Sequence, residues 1–181
     1  NIAGTHFFGT LDNQEIDFRV NNSKIADFTA KGQFGLNSGG QSVFIGLNAG
    51  DADDGSLNSN VAVGYHSLLA NTTGEANTAV GSESLRSNTT GNRNTGIGQD
   101  ALEVNTIGNN NTALGYDALE DNTTGNNNTA VGMDALTKNT TGDDNVAIGQ
   151  NAMFVSTTSR ETVAVGEGSL LNLTTAEGNT A

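Results

Sequence analysis

A glycine recurs at a fixed interval through most of the chain: Gly64, Gly81, Gly98, Gly115, Gly132, Gly149 and Gly166 follow one another seventeen residues apart. Gly46 precedes the series by eighteen, so one residue is added in the "DADDGSLNSN" region. A period this strict means that each unit occupies an equivalent place in a stack, which restricts the fold to a solenoid or array. Helical repeats need roughly 33 residues or more to hold two helices and their connections, so a seventeen-residue unit excludes them. The unit fits one coil of a parallel β-solenoid, with two or three short strands expected per coil and turns at glycine and asparagine. Successive coils then pair as parallel strands about 4.8 Å apart, and about eight coils are expected over residues 41–181.

Written in columns, the repeat separates into faces. One apolar column reads Val63, Val80, Ile97, Leu114, Val131, Ile148 and Val165, and a second reads Leu68, Leu85, Leu102, Leu119, Leu136, Met153 and Leu170. Both are expected to anchor the core, with Val131 and Leu136 as the anchors of their unit. A small-residue column (Ser67, Ser84, Ala101, Ala118, Ala135, Ala152, Ser169) lies between them, and an alanine column (Ala62, Ala79, Gly96, Ala113, Ala130, Ala147, Ala164) precedes the first. In a strand Val61 and Val63 share one face while Ala62 and Gly64 share the other. The alanine and glycine face is expected to suit close approach of another chain.

Two polar ladders complete the unit. Thr72, Thr89, Thr106, Thr123, Thr140, Thr157 and Thr174 form one; Asn60, Asn77, Asn94, Asn111, Asn128 and Asn145 form the other, broken by Thr162 and resumed at Asn179. Stacked amides can hydrogen-bond along the axis, so both ladders are read as mechanical. Thr72 and Thr73 are adjacent, and strand alternation would send them to opposite faces.

Residues 1–40 are different in kind. Ile16, Phe18 and Val20 alternate with Asp17 and Arg19, which predicts a half-buried strand, and Phe28 and Phe34 belong to return strands. This stretch resembles connector segments of bacterial and phage fibres. Phe7, Phe8, Phe18, Phe28 and Phe34 are expected to cover the raw end of the solenoid. The chain begins at Asn1 and ends on "GNTA", which opens a further unit, so a segment of a longer protein is expected.

Charge narrows the partners. With 20 acidic and 7 basic residues the net charge is −13, which repels nucleic acid and anionic membranes. No apolar run reaches the roughly 18 residues of a membrane span, so this segment is expected to make no direct membrane contact. The chain is 34% hydrophobic and 15% charged with no Cys, and relies on Asn and Thr for its polar surface. An enzyme is not expected. His6 lies in the connector, and His66 in "VGYHSLL" shares a turn column with Glu83, Asp100, Asp117 and Asp134. No Walker, dinucleotide or nucleophile-elbow pattern occurs, and no cofactor or metal is expected. Asp51, Asp53 and Asp54 offer oxygen ligands of the kind calcium takes, but they do not recur by coil, and a solvated loop is expected there. The sequons at Asn71, Asn88, Asn122, Asn139, Asn172 and Asn21 are read as by-products of a threonine-rich repeat rather than as glycan acceptors.

"NVAVG" at 60–64, "NVAIG" at 145–149 and "TVAVG" at 162–166 resemble the "SVAIG"-type repeat in the heads of trimeric autotransporter adhesins of the YadA kind, over about residues 43–181. Val61 and Val63, Val146 and Ile148, and Val163 and Val165 match the larger aliphatics; Ala62, Ala147 and Ala164 match the small residue. Thr78, Thr95, Thr112 and Thr129 depart from it, and the unit is longer than the common head repeat. The resemblance implies a left-handed parallel β-roll, a homotrimer, and attachment to a host-surface glycan or protein from an extracellular bacterial surface, or from a phage virion. Two other functions fit the ladders: an ice-binding face, and a pure spacer with recognition elsewhere in the parent protein.

Overall fold

In a computed structural model the described residues are 16–20, 23–28, 34–36, 41–175 and 177–181. The fold is an all-β parallel solenoid, and no helix occurs among these residues. Three antiparallel strands come first: β1 (Ile16–Val20), β2 (Ser23–Phe28) and β3 (Phe34–Leu36), in the order β1-β2-β3. β1 falls on the alternating segment, and Phe28 and Phe34 face each other across β2 and β3. The expected phenylalanine cover lies outside the described residues, because Phe7 and Phe8 and the side chains of Phe18, Phe28 and Phe34 are not among them.

The solenoid is built from eight three-residue strands, β4 (Val43–Ile45), β5 (Val61–Val63), β6 (Thr78–Val80), β7 (Thr95–Ile97), β8 (Thr112–Leu114), β9 (Thr129–Val131), β10 (Val146–Ile148) and β11 (Val163–Val165). They form one parallel sheet in chain order, in unbroken register, so that Ala113 pairs with Ala130 and Leu114 with Val131. Each coil therefore carries one strand, where two or three were expected. The remaining fourteen positions still stack. Leu102 N donates to Ala118 O at 3.0 Å and Thr106 N to Thr123 O at 3.0 Å, as regularly as Thr112 N donates to Asn128 O at 2.8 Å within the strand column. They are not strands because the chain turns repeatedly through positive φ, at Asp117 (52°), Leu119 (53°) and Asn127 (57°) in one coil.

The leucines at these turns were correctly expected inside. Leu68, Leu85, Leu102, Leu119, Leu136 and Met153 are fully buried, each contributing about 1.5–3 kcal/mol by transfer from water. Their left-handed backbone costs roughly 1–2 kcal/mol each, which burial offsets. The other apolar column reverses the expectation. Val63, Val80 and Val131 are half-buried, and Ile97, Leu114, Ile148 and Val165 are exposed, while Ala62, Ala79, Ala113, Ala130, Ala147 and Ala164 of the same strands are fully buried. The interior beside the strand is too narrow for more than a methyl group. Gly96, in this column, marks the limit: a Cβ there would strike Ser84 Oγ, which donates to Gly96 O at 3.0 Å. The alanine face is thus enclosed by its own coil and is not available to another chain. At the first coil Phe44 takes the alanine position and packs against the core cluster, plugging that end.

Asparagine makes the rest of the interior. Asn88, Asn105, Asn122 and Asn139 each donate from Nδ2 to the Oδ1 of the preceding member, beginning at Asn71, at 2.7–2.9 Å. The Asn60–Asn145 column works differently: each Oδ1 accepts the backbone N–H of the next member, as in Asn94 N to Asn77 Oδ1 at 2.9 Å, and each Nδ2 reaches a carbonyl fourteen residues on. No buried side-chain polar atom lacks a partner among the described residues. The glycine that set the period is required twice over. Gly115 has φ +145°, and a Cβ on it would overlap the Gly132 carbonyl of the next coil.

Candidate functional site

Three surfaces surround this closed interior. The first is the outward face of the strands. Its two columns are Val43, Val61, Thr78, Thr95, Thr112, Thr129, Val146 and Val163, and Ile45 with the Val63–Val165 series; neither contains a charge. The face turns at the glycine column into Leu47, Tyr65, Ser82, Gln99, Tyr116, Met133, Gln150 and Glu167. Among the described residues, the exposed large apolar side chains lie on the two sides of this corner, except Leu57, Ile107 and Leu171. Leu47 is 68% exposed, Tyr116 48% and Met133 43%, apolar positions separated along the stack by Ser82, Gln99, Gln150 and Glu167.

The second surface is the acidic turn column. Asp100, Asp117 and Asp134 stack in successive coils beside Glu103 and Glu120. Partial burial, and then the neighbouring Asp100 and Asp134 charges, raise the Asp117 carboxyl above its ordinary range. Burial first also raises Glu103 and Glu120. Arg86 offsets part of this repulsion by pairing with Glu83 at 3.0 Å and Glu103 at 2.7 Å. His66 heads the column; its ring stacks on Tyr65 at 3.7 Å and its Nε2 lies 3.2 Å from Asn48 Nδ2.

In the irregular loop, Asp53 Oδ1 accepts Gly55 N and Asp54 Oδ1 accepts Ser56 N, both at 2.9 Å, while Asn58 Nδ2 donates to Asp53 Oδ2. These carboxylates serve the turn itself. No group of three or more His, Cys, Asp or Glu side chains is placed to hold a metal among the described residues.

The third surface is one the sequence reading missed. On the other edge of the strand, the turn residues Asn92, Asn109, Asn126 and Asp143 form an outer comb, each Oδ1 accepting the backbone N–H of the preceding member at 2.8–2.9 Å. Beside it run Arg93, Asn110, Asn127 and Asp144. Two shallow grooves follow this comb. One, of about 510 Å³, is lined by Asn109–Asn110 and Asn126–Asn127 with Arg93 at one end and Asp143–Asp144 at the other. The second, of about 450 Å³, runs from Arg93 and Asn92 past Thr90 and Thr73 to Glu75. Arg93 joins them. The signal in sequence is faint: an arginine in a column otherwise of asparagine and small or acidic residues.

The expected threonine ladder is present, and each hydroxyl from Thr72 to Thr157 donates to the carbonyl of the next threonine, at 2.8–3.3 Å. Thr72 and Thr73 lie in a bend rather than in a strand, and both are exposed. Of the sequon asparagines, Asn71, Asn88, Asn122 and Asn139 are buried in the inner ladder, whereas Asn172 is exposed. Asn21 lies outside the described residues. No family model, curated protein or solved structure matches the chain.

Proposed function

We propose that the chain is a structural and adhesive segment of a homotrimeric surface fibre, of the trimeric autotransporter adhesin or phage-fibre kind, that holds a binding surface away from a bacterial cell or virion. The uncharged outward face of the strands, with its exposed Ile45, Ile97, Leu114, Ile148 and Val165, carries this reading. Exposed aliphatic side chains gathered on one face mark an interaction site, and here they run in register with the coils. A chain of net charge −13 that keeps one face free of charge has a face suited to another copy of itself. The two sides of the corner differ, one of Val, Ile, Leu114 and Thr, the other of Leu47, Tyr, Met133 and polar Ser82, Gln99, Gln150 and Glu167. Packing one side against the other side of the next copy is a heterologous contact, which closes into a ring when the rotation per copy divides the circle. Three wedges around an axis satisfy it and give a rigid rod.

Sedimentation equilibrium tests the reading. A mass three times 18.5 kDa is expected; a stable mass of 18.5 kDa contradicts it.

A second reading, ice binding, rests on Thr78, Thr95, Thr112 and Thr129, which stand outward at coil spacing on a flat sheet. Val61, Val146 and Val163 interrupt that column, and the hydroxyl donors of the Thr72 ladder are spent within the protein. Thermal hysteresis separates the two: a trimeric fibre shows none.

A further inference from the structure

We propose that the Arg93 groove binds a glycan that bears one carboxylate on an otherwise neutral chain; this deepens the attachment reading and rests on it. Of Arg86, Arg93, Lys138 and Arg160, the cations with described side chains, only Arg93 lacks a carboxylate within ion-pair distance. In a chain this acidic, an exposed guanidinium left unpaired is available to an external anion, and its planar fork fits a carboxylate with two parallel hydrogen bonds.

The neighbours select the rest of the ligand. The Asn110 amide is exposed and makes no hydrogen bond within the protein, and Asn127 uses only Nδ2, on Asp144. Thr73 and Thr90 add exposed hydroxyls on the other side of Arg93. These groups exchange hydrogen bonds with sugar hydroxyls. Coils repeat about every 4.8 Å along the axis, close to the length of one pyranose, so successive sugars meet successive coils. The ends of the joined grooves are acidic, Glu75 at one and Asp144 at the other, where the neighbouring Asp143 is paired with Arg160 at 3.3 Å. They repel a second carboxylate, which excludes polyuronates and nucleic acids and leaves one acidic sugar at Arg93.

Ligand-observed NMR titrations of the full chain with 3′-sialyllactose, with a glucuronate-terminated trisaccharide and with lactose test this. At least one acidic sugar is expected to bind about ten-fold more tightly than lactose, and more weakly as salt is added. Sialyllactose alone binding assigns the sialic class, the glucuronate alone the uronic class, and both binding assigns the carboxylate as the shared determinant. Arg93→Gln, at an exposed turn, removes that preference, and Asn110→Ala weakens binding of the same sugar several-fold. Lactose binding as well as both acids, no binding at all, or an unchanged preference in Arg93→Gln overturns the proposal. The mass is measured on the same sample, so a trimer that binds no acidic sugar sinks the groove and leaves the fibre standing.

Discussion

Ala113 and Leu114 are consecutive residues of β8, and the small one is fully buried while the large one is 45% exposed. The same inversion recurs in every regular coil. A side chain's size normally predicts the opposite, because larger apolar area gains more from burial. Here the coil closes so tightly on the strand that only a methyl group enters, and the leucines fill the interior from the turns instead. The pair teaches that the inside of this solenoid is set by space, and that its outward aliphatics are left for another surface.

Substitutions sharpen that contrast in order of size. Gly115→Ala combines a disallowed φ with a clash into the next coil's backbone, and is expected to cost on the order of 4 kcal/mol by denaturant unfolding. Asn105→Ala leaves the amides of Asn88 and Asn122 without their partner in a sealed interior, a loss of about 3 kcal/mol. Ala113→Leu overpacks the strand side and costs about 2 kcal/mol, whereas Leu114→Ala, one residue on, changes the stability of the isolated coil stack by about 0.5 kcal/mol or less. If those two variants exchange their effects, the inside and outside of the strand are reversed.

The smallest effect is electrostatic. Asp117 has its folded-state carboxyl raised, by burial and then by Asp100 and Asp134, so the folded state binds the proton more tightly than the unfolded chain does. Stability therefore rises as pH falls into the carboxylate range and declines as pH rises through the raised value. Asp117→Asn is expected to be more stable than the parent at neutral pH by about 0.5 kcal/mol, with a flatter pH profile. Thermal melts between acid and neutral pH read both; a steeper profile in the variant contradicts the stacked-charge account.

Much of this was legible from register alone, though the inner Asn71–Asn139 ladder was not. Asn71, Asn88, Asn122 and Asn139 read as sequons of a threonine-rich repeat, and only the Asn60–Asn145 column stood out as a ladder. The seventeen-residue spacing gives the coil, the parallel sheet and its order, and the buried leucine and Asn60–Asn145 columns follow from it. The sense of the strand was not legible from alternation, which separates Val61 and Val63 from Ala62 without saying which side is enclosed. Column restriction carries that information: the Ala113 position admits only Ala or Gly after Phe44, while the Leu114 position ranges over Val, Ile and Leu. Leucine at positive φ was also hidden, since intrinsic preference argues against it and only stacking of identical turns sustains it. The Arg93 groove depends on which cations find carboxylates across coils, and spacing does not reveal that.

The direct test of the outward face as the chain-to-chain surface is the mass of Ile97→Lys/Leu114→Lys beside the parent chain, by light scattering, with circular dichroism on both. The account predicts a trimer for the parent and 18.5 kDa for the variant, with unchanged β-solenoid spectra. A parent chain at 18.5 kDa, or a lysine variant that stays trimeric, contradicts it.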